Sequence, residues 1–169
     1  NKPGLPLGGM SFNVTNAMLP KKSLLRKIFF LQSENSGNVS KAGYATSYLP
    51  ATSDTETYWL VGGSTGWRRE LIDSYPHPID FSTKWAVCED LMFSYPLHEE
   101  YRMTVAIDSN VIHNEEYEEM PLKKSFFYGL SQVIMRYHFV CSNKEMSKIS
   151  FIWMSVGQLL GYLMASTLG

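Results

Sequence analysis

Two short runs hold the residue types that could do chemistry. Glu89 and Asp90 are adjacent carboxylates at the start of an expected helix, and about twenty residues earlier Gly62-Gly63-Ser64-Thr65-Gly66 leads into Trp67-Arg68-Arg69-Glu70. A carboxylate in the first turn of a helix is a candidate general base, because the helix N-terminus favours its ionised form. Two guanidinium groups following a glycine turn suit an anionic substrate. The pattern as a whole fits a site that handles an anion and moves a proton.

The glycine run also reads Gly-x-Ser-x-Gly between an expected strand and an expected helix, which is the setting of a hydrolase nucleophile elbow. Ser64, then Asp90 or Asp108, then His113 keep the chain order of such hydrolases. That reading leaves Arg68, Arg69 and the carboxylates as a pair without a role. No lysine follows the glycines at the offset of a phosphate loop. The plainest reading of the run is a tight turn that uses the freedom of glycine at positive φ.

The elements that must position these residues alternate between strand and helix. Residues 56–61 combine β-branched and aromatic side chains and predict a strand. Residues 67–74 predict a short helix closed before Pro76 and Pro78, residues 80–85 a loop, and residues 86–95 a helix ended or kinked by Pro96. Residues 101–107 and 110–113 predict two strands, so the region is α/β. Upstream, residues 1–20 read as loop with at most one short strand. Residues 21–32 read as an amphipathic helix with a basic face, and residues 33–54 as turns around a hairpin. Glu115, Glu116, Glu118 and Glu119 read as a solvated acidic turn.

Downstream the character changes. Phe126, Phe127, Leu130, Val133, Ile134 and Tyr137 mark one face of a helix over residues 122–141. A second helix is expected over residues 145–168, uncharged from residue 149 onward. That length reaches the roughly 20 residues able to cross a bilayer. Gln158, Gly157, Gly161 and several serines weaken it as a span. Burial against the domain, attachment to a membrane surface and a true span stay open.

The 169 residues, 44% hydrophobic and 18% charged, suit one folded domain. A net charge of -1 excludes a bulk nucleic-acid binder. Cys88 and Cys141 are too few for a disulfide framework or a four-cysteine zinc site, and read as buried free thiols. Glycosylation sequons occur at Asn13 and Asn38, and matter only in a secreted chain. Neither an initiator methionine nor a signal segment is visible, so a piece of a longer protein is expected.

Taken in order, Trp59-Leu60-Val61-Gly62-Gly63-Ser64, Trp67-Arg68-Arg69-Glu70-Leu71, Phe81, Glu89-Asp90-Leu91, Phe93-Ser94-Tyr95 and Val111-Ile112-His113 resemble a known family. The likeness is to the C-terminal half of the catalytic domain of family 2 glycosyltransferases of the GT-A type. It spans residues 37–113, and the helices that follow resemble the family's C-terminal extension. It implies an α/β fold, the C-terminal part of a GT-A (nucleotide-diphospho-sugar transferase) fold, with a mixed sheet, flanking helices and two apolar C-terminal helices. Residues 1–121 would be the acceptor-side half and residues 122–169 a helical extension, with membrane association as one option. The N-terminal nucleotide-binding half would be absent, because the family's Asp-x-Asp motif does not occur here.

The resemblance further implies an inverting transfer of a sugar from a nucleotide-sugar donor to a saccharide or glycolipid acceptor, in surface polysaccharide or glycolipid synthesis. By similarity Asp90 is the general base, and Glu89 is a supporting or acceptor-binding carboxylate. Gly63, Ser64, Trp67, Arg68 and Arg69 would contact substrate, and His113 would stand near a divalent metal. That metal, magnesium or manganese, would be bound mainly by the missing half, leaving the isolated fragment inactive. The implied location is cytoplasmic at the inner face of the membrane, with peripheral membrane contact and no nucleic acid.

Two departures stand out. Pro96 replaces the family's usual arginine, and Gln132 to Arg136 is one residue too long for the processive motif, with Tyr137 following. Gln132 and Arg136 are therefore expected on a solvated helix face. A serine hydrolase built on Ser64 and a non-catalytic, membrane-associated interaction module are the competing readings.

Overall fold

The computed structural model describes residues 4–17, 23–33, 35–53, 55–75, 87–112 and 121–168, with the side chains of residues 162 and 165–168 left aside. Its strands are β1 (Leu7–Val14), β2 (Glu56–Thr57), β3 (Thr65–Trp67) and β4 (Arg102–Val111). The helices are α1 (Leu24–Ile28), α2 (Arg69–Ser74), α3 (Glu89–Ser94), α4 (Leu122–Ser142) and α5 (Lys148–Leu168). The strands form one mixed sheet in the order β2-β4-β1-β3, with β1 parallel to β4 and the two outer pairs antiparallel. The α/β expectation with flanking helices therefore holds.

β1 corrects the reading of residues 1–20 as mostly loop. Gly8 and Gly9 hide its alternation, and both serve close approach rather than turning. A Cβ on Gly8 would lie 2.6 Å from Tyr101 Cβ, and one on Gly9 2.6 Å from the Trp67 ring. Farther along β1, the Asn13 amide accepts from Ala51 N–H at 2.9 Å and donates to Ala51 O and Asn110 Oδ1. Buried and fully engaged, this sequon asparagine is no site for a glycan.

Other elements are shorter or differently joined than expected. The helix expected over residues 21–32 is five residues long where described: Ser23 Oγ caps it by accepting from Arg26 N–H, and Phe30 at φ 53 turns the chain away. The strand expected over residues 56–61 pairs only at Glu56 and Thr57. The helix expected over residues 67–74 begins at Arg69, because Trp67 ends β3. The helix expected over residues 86–95 runs from Glu89 to Ser94 and ends ahead of Pro96, as expected. The chain tightens there into a 3-10 turn, Tyr95–Glu99, with proline in the first turn where its missing N–H leaves no bond unmade. The two strands expected over residues 101–113 are one strand, and the register against β1 shifts between Phe12 and Asn13, next to the break read from the sequence. Of the two free cysteines, Cys141 is exposed and Cys88 half-buried, so only Cys88 approaches the buried thiol expected.

The segment from α3 through the 3-10 turn is the keystone of the packing. Leu91 and Tyr95, four residues apart, face a cluster with Ala42, Phe139, Val140, Phe151 and Met154, which ties α3 to α4 and α5. Phe93 and Leu97 face Leu71 and Trp67 on the other side. A third cluster, with Leu60, Met103, Val105 and Tyr48, lies against the sheet. With both faces buried, α3 holds its first residues in a fixed place.

Candidate active site

The peptide just before the glycine turn leaves the sheet, and its backbone donors go to side chains instead. Leu60 N–H donates to Ser94 Oγ at 3.1 Å, Val61 N–H to the Tyr48 hydroxyl at 2.8 Å, and Gly62 N–H to Asp90 Oδ2 at 3.3 Å. Three successive amides thus meet three side chains, two from α3 and one from Tyr48. Thr65 Oγ1 donates back to Val61 O and closes the turn, which is a 3-10 turn over Gly62–Ser64. This capture explains why the expected strand stops at Thr57. A buried N–H needs a partner, and here the partners are side chains.

Asp90 is tied at three atoms. Oδ1 accepts from Leu91 N–H at 2.7 Å, Oδ2 accepts from Gly62 N–H, and its carbonyl accepts from Ser94 Oγ at 2.6 Å. Ser94 therefore clamps α3 to the Leu60 backbone with one hydroxyl, donating once and accepting once. Burial pushes the Asp90 carboxyl above 3.8 and Glu89 beside it adds to the rise, while the Leu91 and Gly62 N–H groups pull against both. Against the helix N-terminus expected to favour its ionised form, loss of water moves the carboxyl upward and outweighs the backbone donors. Each carboxylate oxygen receives one N–H and keeps a lone pair for a further proton donor.

Around Asp90 the backbone is held away from easy conformations. Cys88, directly before Glu89, sits in the left-handed region at φ 63, which costs about 1 kcal/mol or more in a non-glycine residue. Its thiol is pushed up by burial and eased back by Arg136. Arg136 is not on the solvated face expected for it: its guanidinium lies 5.2 Å over the Tyr44 ring, and its Nε is buried without a partner. Tyr48 is buried, and its hydroxyl is pushed up to about 12, chiefly by desolvation. It stays neutral and serves as the acceptor for Val61.

The remaining sequence-predicted residues divide. Gly63 is exposed with open space around its Cα, and Ser64 Oγ lies 3.4 Å from Ser11 Oγ. Both line an apolar cavity of about 260 Å³ together with Val14, Tyr48, Trp59 and Val61. Trp67 packs edge-on against Phe93 at 4.9 Å and is half-buried in the core. Arg68 pairs with Glu70 at 3.5 Å and Arg69 with Asp73 at 3.6 Å, both at the surface. His113 and Phe81 lie outside the described residues. Among the described residues no three His, Cys, Asp or Glu side chains are grouped to hold a metal ion.

Sequence reasoning assigned no role to Tyr48, Ser94 or Ser11. Ser94 carried a usable signal, because a serine four residues after Asp90 on a helix can bond back to its carbonyl. Tyr48 carried none, since its partner comes from a strand end that only the fold brings near.

No family model, curated protein or solved structure matches this chain. The site must therefore be read from its own geometry.

Proposed function

We propose that this chain is the acceptor-side half of an inverting glycosyltransferase of GT-A type, with Asp90 as the general base. The observation that carries the reading is the Asp90 carboxylate itself: half-buried, raised above its ordinary pKa, fixed by Gly62 and Leu91, and still holding a lone pair on each oxygen. A base placed this way accepts the proton of an acceptor hydroxyl while that oxygen attacks the anomeric carbon of the donor. The bond from that carbon to the departing group breaks as the new one forms, so configuration inverts. Raising the pKa strengthens the base without moving it.

Glu89, half-buried beside Asp90, adds its charge to the rise and strengthens the base. Gly63 and Ser64 supply the acceptor-side wall, which joins the cavity lined by Trp59 and Tyr48. Arg68 and Arg69 would reach an anionic substrate only by exchanging their surface partners Glu70 and Asp73 for it, a low-cost exchange for exposed pairs. The divalent cation of this reading would be held mainly by an N-terminal nucleotide-binding half, with His113 near it. Asp90→Asn in the full-length protein should abolish sugar transfer from a nucleotide-sugar and leave the fold intact; retained transfer removes Asp90 as the base. If Ser64 instead reacts with a fluorophosphonate probe and Ser64→Ala is inactive, the hydrolase reading replaces this one.

A second reading has one observation in its favour. α4 and α5 expose long apolar faces, as a non-catalytic interaction module would.

A further inference from the structure

α1 and α5 are locked into one surface. Trp153 Nε1 donates to Ile28 O at 2.9 Å, and the Phe29 ring stacks on the Trp153 indole with centroids 4.8 Å apart. Phe29 fits only because residue 157 is glycine, one turn beyond Trp153. A Cβ there would stand 2.3 Å from Phe29 Cγ. The junction is built from matched parts, yet the apolar side chains around it are left in water.

On α1, Leu24, Leu25 and Ile28 are exposed at 74%, 57% and 47%. On α5, Ile149, Ile152, Val156, Leu160 and Leu163 are exposed and fall three or four residues apart, so they share one face. On α4, Leu122, Phe126, Leu130, Val133 and Tyr137 repeat the same spacing, and residues 122–130 are exposed at every position. The inner faces of α4 and α5 are already used by Phe139, Val140, Phe151 and Met154 in the core. An apolar area of this extent is larger than scattered surface hydrophobics and calls for an occupant.

Charge selects the occupant. The three helices carry Arg26, Lys27, Lys123, Lys124, Arg136 and Lys148 and no Asp or Glu. Arg26 and Arg136 turn to the Tyr44 ring, whereas Lys123, Lys124 and Lys148 are exposed. Glu145, in the connection between α4 and α5, bonds to Tyr95. The four glutamates of residues 115–119, just before α4, lie outside the described residues. A second copy docked through the same three helices would offer these lysines no acidic partner on them. A surface bearing negative headgroups over hydrocarbon complements both the lysines and the stripes. No helix among the described residues is long and apolar enough to cross a membrane.

We propose that α1, α4 and α5 together form a docking surface for an anionic lipid bilayer. The proposal is independent of the reaction at Asp90. It is tested by co-sedimenting the full-length protein with phosphatidylcholine vesicles with and without phosphatidylglycerol. Binding should appear with phosphatidylglycerol and weaken with added salt. It should fall at least about tenfold in Lys123→Glu/Lys124→Glu/Lys148→Glu, where several headgroup attractions become repulsions. Ile152→Ser/Val156→Ser/Leu160→Ser should lose binding to the same degree. All six positions are exposed, so both variants should melt as the native protein does, and Asp90→Asn should bind vesicles normally. Equal partition into neutral and anionic vesicles would overturn the proposal. So would extraction by detergent alone, or a dimer dissociated by the serine variant with no vesicle binding.

Discussion

The Asp90 site and the C-terminal helices are opposite in what they do with water. At Asp90 a carboxylate is drawn out of solvent, and the Leu60, Val61 and Gly62 amides beside it each meet a side-chain acceptor. Along α4 and α5 hydrocarbon is left in solvent at regular helical spacing. Each arrangement is unfavourable for the chain alone. What the contrast teaches is that the chain's stability is spent in two separate places, one where a proton is to be moved and one where a surface is to be met. Changes in one region should leave the other's readout untouched.

The largest expected effect tests the first region. Asp90→Asn should lower transfer by about a hundredfold or more, the usual contribution of a positioned base. Its effect on stability should be smaller and depend on pH. Because the folded carboxyl holds its proton to higher pH than the unfolded one, its contribution favours the fold at low pH and fades as pH rises from 3.8 through the raised value. The asparagine variant should lose that trend, and because its NH2 group cannot accept from the Leu91 or Gly62 N–H it should be about 1–2 kcal/mol less stable than the native protein at neutral pH, read from melting curves across pH. A variant that no longer folds would mean that Asp90 is structural.

Next in size is Ser94→Ala. It strands the buried Leu60 N–H and unties Asp90 O, and should cost about 1–3 kcal/mol in denaturant unfolding with transfer reduced as well. Gly157→Ala should cost about 1–3 kcal/mol by forcing Phe29 off Trp153. It should weaken vesicle binding while leaving the Asp90 titration unchanged, which sharpens the separation of the regions. The smallest effect belongs to Arg69→Ala, whose pair with Asp73 is exposed and should not move the melting temperature measurably.

How far the residues spoke for themselves follows the same division. The glycine turn, the acidic pair opening α3 and the two long helices were legible because each rests on local chemistry or periodicity. β1 was not, since Gly8 and Gly9 look like loop until Tyr101 and Trp67 are seen against them. The capture of Leu60, Val61 and Gly62 by Ser94, Tyr48 and Asp90 was hidden as well, because it joins positions 13 to 34 residues apart. Arg136 was misplaced on a solvated face for a related reason. Helical spacing says which residues share a side, but Tyr44 and Cys88, from distant segments, decide which side is inside.

The central claim is that the Asp90 carboxylate is the base and is raised by burial. Its most direct test is the acid limb of sugar transfer by the full-length protein, set beside the titration of the Asp90 carboxyl carbon by NMR. Both should share one midpoint above 3.8. A carboxyl that titrates at or below 3.8, or an acid limb that ignores it, would contradict the account.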